Sequence, residues 1–176
     1  MNTNTVPIST LFIGLNGFIA FVLSYIVVME RTRSRVWHGE SKADVAMQPN
    51  PLNRPTAWVS TVEKFSQKLS ATETNDEGVL QRQVRTHGNF AEYVPMALLF
   101  IIGLELMHSP NWLLWLLGGT LTVARIIYSW GVIGTYGPSL GRAIGFFATW
   151  FVYVVGASAC VYYGLAGVIK GPFNGL

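Results

Sequence analysis

Charged residues are scarce in this chain of 176 residues. Asp, Glu, Lys and Arg make up 12% of it, hydrophobic residues make up 51%, and the mean hydropathy is +0.38. This composition excludes an ordinary soluble domain and predicts an integral membrane protein. The net charge is only +3 and no basic patch occurs, which argues against a nucleic-acid-binding protein.

Cysteine and histidine are also rare. The single cysteine, Cys160, excludes an internal disulfide, and its apolar neighbours in sequence would not stabilise a thiolate nucleophile. His38 and His108 have no partners at the spacing of metal ligands, so no metal site is predicted.

Long apolar runs fill most of the chain and predict four membrane spans, each able to cross ~30 Å of hydrocarbon. These spans cover about residues 7–29, 79–107, 111–132 and 139–169. No positive charge precedes the first run and no small-residue cleavage pattern follows it, so it is interpreted as a span rather than a signal peptide. The sequence therefore predicts one all-α domain, an integral membrane four-helix bundle.

A polar loop of residues 30–78 separates the first two spans. Within residues 56–69, apolar side chains recur at helical spacing and predict a short amphipathic helix. These side chains are Trp58, Val62, Phe65 and Leu69. Such a helix would lie on the membrane surface or against the bundle, and a mobile loop with scattered apolar residues is the alternative.

Lysine and arginine are unevenly distributed between the two sides of the predicted bundle. Four spans place both termini on one side, and eleven of the twelve Lys and Arg residues lie on the other, leaving only Lys170 with the termini. The positive-inside rule predicts that the long loop is cytoplasmic and that both termini lie on the opposite side.

Polar residues at the start of the second span predict a binding site. Arg85, Asn89 and Glu92 occur at i, i+4 and i+7, so a helix presents them on one face. Arg125 lies inside the apolar third span, where an uncompensated guanidinium costs roughly 2.5 kcal/mol or more. It would either pair with Glu92 to lock the bundle or join other arginines around an anionic ligand. Charge alone does not separate these alternatives.

The motif R-x-H-x-N-x-x-E-Y-x-P, present from Arg85 to Pro95, resembles the signature of the MAPEG family, membrane-associated proteins in eicosanoid and glutathione metabolism. The segment Arg125-Ile-Ile-Tyr128 resembles the R-x-x-Y element of that family, and the resemblance covers all four spans. It implies a homotrimer that binds glutathione as co-substrate between neighbouring subunits, near the cytoplasmic side. The implied glutathione-binding residues are Arg31, Arg85, Asn89, Glu92, Arg125 and Tyr128, and the implied catalytic residue is Arg142, which would stabilise the glutathione thiolate.

Three residues depart from family patterns. Gly88 stands where the prostaglandin synthase branch has an arginine, Val132 where eukaryotic members often have a tyrosine, and Ala143 where that branch has a serine. The resemblance implies a membrane glutathione transferase or peroxidase acting on lipophilic electrophiles or hydroperoxides. The alternative is a non-catalytic membrane protein of the same fold that binds a ligand or a partner protein.

Overall fold

The structure is a computed structural model that describes residues 5–37, 56–70, 78–135 and 139–170. Those ranges contain five helices and no strand: α1 (Pro7–Ser34), α2 (Ala57–Ser70), α3 (Val79–Leu106), α4 (Asn111–Ile133) and α5 (Leu140–Lys170). All except α2 are long and apolar enough to cross a membrane. The prediction of an all-α bundle with four spans is confirmed. His38 and most of the long loop lie outside the described residues.

Helix α1 continues to Ser34, past the end near residue 29 that hydropathy predicts. Arg31 and Arg33 occupy its last turn, where cations interact favourably with the helix dipole. Arg35 then adopts a left-handed conformation with φ of 58° and ends the helix. The polar end of α1 therefore extends beyond its apolar run.

Helices α3 and α4 form the centre of the bundle, and each packs against both α1 and α5. Ile101 and Leu104 of α3 meet Leu117 and Leu121 of α4, and all four side chains are fully buried. This apolar core fills the half of the bundle where α3 ends and α4 begins. Polar side chains gather in the other half.

The backbones of helices α4 and α5 lie close together at glycine residues of α5. A Cβ atom built on Gly145 would lie 2.6 Å from the carbonyl oxygen of Ala124 and 2.6 Å from the Cβ of Tyr128. Gly141 and Gly145 form a Gly-x-x-x-Gly pattern, which permits helix backbones to touch in membranes. The pattern is readable in the sequence, and it explains how α5 comes near the polar residues of α4.

We expect Gly145→Ala to destabilise the protein, because the added methyl group would overlap backbone atoms that cannot move independently. A loss of roughly 1–3 kcal/mol is typical of such overpacking. Thermal unfolding in detergent, followed by circular dichroism, should show a lower Tm. Gly119→Ala is the matched control, since a Cβ there has nothing within 4 Å. Equal Tm values for the two variants would contradict the close packing of α4 and α5.

Glu105, near the end of α3, caps the first turn of α1. Its Oε1 accepts a hydrogen bond from the Ile8 N–H at 2.9 Å, and its Oε2 accepts one from the Ser9 N–H at 2.7 Å. The α1 N-cap residue, Val6, supplies no side-chain cap. This contact joins residues 97 positions apart, so no local sequence pattern indicates it.

We expect Glu105→Ala to loosen the start of α1, because two N–H groups there would lose their acceptor. Leaving a buried donor unsatisfied costs about 1–3 kcal/mol. Hydrogen exchange should accelerate in the first turn of α1, and Glu105→Gln should retain part of the protection because its amide oxygen still accepts. Unchanged exchange in the alanine variant would show that the cap contributes nothing.

Candidate functional site

A cavity of about 950 Å³ lies between α3 and α5, with one wall from α4. Five of the predicted site residues line it: Arg85, Asn89, Glu92, Tyr128 and Arg142. They come from three helices, α3, α4 and α5. The cavity is therefore a feature of the folded bundle rather than of one helix.

Local structure positions Arg142 on the cavity. The Ser139 hydroxyl accepts a hydrogen bond from the Arg142 N–H at 3.2 Å, which caps the first turn of α5. The same hydroxyl donates to the Gly131 carbonyl at 2.9 Å. Ser139 thus ties the start of α5 to the end of α4 and places Arg142 near Tyr128.

The charges around the cavity are not neutralised by one another. The ion pairs in the described part of the chain are Arg33–Glu30 and Arg35–Glu63, and neither includes a cavity residue. Glu92 is exposed although it lies about 20 Å along α3 from its first residue, near the middle of the helix. A carboxylate at such a depth requires water or a polar partner. The cavity therefore suits a ligand that carries both anionic and cationic groups.

A smaller cavity of about 310 Å³ adjoins the first near the start of α3. Arg85, Tyr128 and Arg142 line both cavities, and Arg82 and Thr135 line the smaller one. The Arg85 and Arg142 side chains thus converge at this end of the bundle. Guanidinium groups bind carboxylates and phosphates well because they donate paired hydrogen bonds, so this end favours an anionic group of a ligand.

Arg125 does not line either cavity but lies beneath them, with 1% of its surface exposed. Its Nη1 donates to Asn89 Oδ1 at 2.8 Å, and its Nη2 donates to the Thr149 hydroxyl. Its guanidinium also lies 5.5 Å from the Tyr93 ring centre and 5.3 Å from that of Tyr128. Neutral acceptors and aromatic rings compensate Arg125. The pair with Glu92, one of the two alternatives left open by the sequence, does not form within the described residues.

Arg31 lies away from the two cavities, whereas two aromatic residues of α5 lie on the larger one. Arg31 lies outside both cavity linings and donates to the Trp37 carbonyl. Phe146 and Phe147 both line the larger cavity, although neither was among the residues predicted for the site. Phe146 follows Arg142 at i+4, so helical spacing from the arginine could have found it. The cavity consequently has an apolar wall beside its cationic end.

Comparisons with known proteins agree with this architecture. The model of the MAPEG family matches residues 9–162. The chain belongs to the MAPEG family. Two curated relatives, both called "Inner membrane protein YecN" and from Escherichia coli strains K12 and O6:H1, are each 27% identical over 84 residues. The match covers 48% of this chain and 63% of each relative, and no solved structure matches.

This MAPEG protein is accordingly an integral membrane protein with several spans. The resemblance seen in the sequence is confirmed by the family match. No group of three His, Cys, Asp or Glu side chains that could hold a metal ion occurs within the described ranges.

Proposed function

We propose that this protein is a membrane-bound, glutathione-dependent transferase or peroxidase acting on lipophilic electrophiles or hydroperoxides. The observation that carries the proposal is that three charged residues surround one cavity and form no ion pair within the described part of the chain: Arg85, Glu92 and Arg142. Glutathione carries two carboxylates, one ammonium and one thiol. Arginines suit the carboxylates, Glu92 suits the ammonium, and a further arginine suits the thiolate.

The remaining polar residues support such a ligand. Asn89 uses its Oδ1 to accept from Arg125, which leaves its amide N–H groups to donate toward the cavity. This bond also sets the orientation of the amide. Tyr128 lines both cavities and can donate its hydroxyl to a carboxylate. We assign Arg85, Asn89, Glu92 and Tyr128 to glutathione binding.

Arg142 is the proposed catalytic residue, because its guanidinium would stabilise the thiolate over the thiol. In the transferase reaction the thiolate sulfur attacks the electrophilic carbon, a C–S bond forms, and the leaving group departs with its bonding electrons. In the peroxidase reaction the sulfur attacks a peroxide oxygen and releases an alcohol. A second glutathione then reduces the resulting sulfenic acid to give the disulfide and water. Phe146 and Phe147 would contact the lipophilic substrate.

The test is glutathione binding by calorimetry on the purified protein in bilayer discs, followed by two assays. One measures conjugation of a chlorinated dinitrobenzene, and the other measures reduction of an organic hydroperoxide. Saturable binding with turnover in either assay supports the proposal. Absence of glutathione binding would contradict the proposal.

Non-catalytic binding is the second candidate function, and Gly88 favours it. Gly88 lines the cavity, and a Cβ there would meet nothing within 4 Å, so the space of a larger side chain is empty. Ala143 likewise adds no polar group to the lining. Glutathione binding without turnover in either assay would support this second candidate.

The assembly we propose is a homotrimer with glutathione sites between subunits, as the family resemblance implies. The exposed Glu92 in the middle of α3 supports it, because a neighbouring subunit would shield this carboxylate from lipid. Native mass spectrometry from detergent should show three subunits per particle. A monomer that binds glutathione with full affinity would contradict the shared site.

We further propose that the cavity end and the long loop face the cytoplasm and that both termini lie on the opposite side. Support comes from the eleven Lys and Arg residues on the cavity side. In a Cys160→Ser background, a membrane-impermeant maleimide added to intact cells should label Met107→Cys and not Lys64→Cys. Labelling of Lys64→Cys but not of Met107→Cys would show the opposite orientation.

A further inference from the structure

Helix α2 is attached to the bundle by its polar side. The Ser66 hydroxyl, which is fully buried, donates to the carbonyl of Thr32 on α1 at 2.6 Å. Arg35, which directly follows α1, donates through Nε to Ser66 at 3.3 Å and forms an ion pair with Glu63. These contacts fix which face of α2 meets the protein.

The aromatic side of α2 consequently points away from the bundle. Trp58 is 74% exposed and Phe65 is 47% exposed. They lie seven positions apart, so they share one face of the helix. Lys64 and Lys68, both exposed, border this aromatic stripe. A helix that packs against a protein in water would turn its aromatic residues inward, whereas α2 buries Ser66 and exposes Trp58 and Phe65.

The position of α2 relative to the membrane explains why its aromatic residues are exposed. The apolar run of α1 ends at Met29, so Thr32 lies about 4.5 Å and Arg35 about 9 Å beyond it along the helix axis. The headgroup region on each side of the hydrocarbon is roughly 5–8 Å thick. Helix α2 is therefore attached within the headgroup region and at its outer edge, where tryptophan and lysine side chains are favoured. Trp37, also exposed, follows α1 at the same level.

We propose that α2 is an interfacial anchor that binds the surface of the bilayer in which the protein sits. Trp58 and Phe65 insert among the lipid headgroups and upper acyl chains, and Lys64 and Lys68 bind the phosphates of anionic lipids. Lipid is favoured over a partner protein because α2 is fixed to α1 where the lipid-exposed surface of that helix ends. The lysines beside the aromatic stripe also match the negative charge of anionic headgroups.

The segment that holds the anchor also forms one edge of the larger cavity. Val36 lines the larger cavity and directly follows Arg35, which holds α2. Lipid binding by α2 therefore constrains the segment that forms this edge of the cavity.

Depth-dependent fluorescence quenching tests the anchor in the full-length protein with Cys160→Ser. Trp58→Cys, Phe65→Cys and Gln67→Cys would each carry a bimane label, in discs that contain lipids with bromine near the headgroup. Gln67 is the control because it is exposed and lies on the opposite side of α2 from Trp58. Labels at positions 58 and 65 should be quenched by about twofold or more relative to position 67.

The lipid charge is tested by changing the disc composition. Quenching at position 65 should increase when phosphatidylglycerol replaces part of the phosphatidylcholine, and Lys64→Gln with Lys68→Gln should abolish the increase. Equal quenching in both lipids would overturn the role of the lysines. Equal quenching at all three positions would overturn the anchor. Protection of position 65 from a water-soluble quencher without lipid quenching would also overturn it and would indicate a protein partner.

Discussion

Replacing Arg142 by alanine is expected to lower kcat for glutathione conjugation by about 100-fold or more, the usual effect of removing one group that stabilises developing or bound negative charge. Arg142 is exposed on the cavity, and its side chain has no ion pair within the described residues. Its removal leaves no buried partner unsatisfied, so the Tm should stay close to that of the wild type. This variant should therefore lose activity while it keeps its stability.

The absorbance of the bound thiolate distinguishes a chemical role for Arg142 from a structural one. A nearby guanidinium favours the charged form, so glutathione bound to the wild-type protein should ionise at lower pH than glutathione in solution. In Arg142→Ala the pKa of the bound thiol should rise toward that of a free thiol, and activity should recover partly at high pH. Arg142→Lys should retain part of the shift.

Lys170→Ala is the matched control for Arg142→Ala, because it removes a cation of the same helix, α5, at the opposite end from Arg142. We expect its kcat and thiolate absorbance to match the wild type. An equal loss of activity in the two variants would indicate a general effect of net charge and would contradict the proposed role of Arg142.

Replacing Arg125 by alanine is expected to have the largest effect on stability, a loss of about 3 kcal/mol or more. Truncating a large buried side chain to alanine costs roughly 2–5 kcal/mol, and each acceptor left without a donor adds about 1–3 kcal/mol. The acceptors are Asn89 and Thr149, on α3 and α5. Removing a buried charge recovers some desolvation energy, so Arg125→Met, which also fills most of the volume, should be milder.

Thermal unfolding in one detergent checks these expected losses of stability. The variants to compare are Arg125→Ala, Arg125→Met and Arg142→Ala. We expect the lowest Tm for Arg125→Ala, an intermediate value for Arg125→Met and a near-wild-type value for Arg142→Ala. If Arg125→Ala keeps the wild-type Tm and loses only glutathione affinity, Arg125 contacts the ligand as the family resemblance implies, and its structural role is refuted.

Helical periodicity made much of the cavity predictable. Arg85, Asn89 and Glu92 share a face because the helix turn sets their spacing, and the cavity is lined by that face. Arg142 and Tyr128 were proposed from the family motif, and the antiparallel bundle brings them to the same end. The spacing of apolar residues also predicted a helix at 56–69, where the structure has α2 at Ala57–Ser70.

Periodicity could not assign the partners of individual polar groups. For Arg125 the sequence left two alternatives open, a pair with Glu92 or a place among arginines around an anionic ligand. Its guanidinium instead reaches Asn89, 36 positions away, and Thr149, 24 positions away. Those partners depend on how far each helix is rotated about its axis and on the close approach at Gly145. The capping of α1 by Glu105 depends on the same long-range geometry.

The sequence by itself determined the four membrane spans, the single polar face of α3 and the family, because these follow from hydropathy, helical spacing and a contiguous motif. Only the tertiary structure decided that Arg125 is a buried link between three helices while Arg85, Glu92 and Arg142 line a cavity. It alone showed that α2 turns its aromatic side outward. The physical reason is that hydropathy specifies which residues avoid water, whereas side-chain partners depend on backbone separations and helix rotations of a few ångströms.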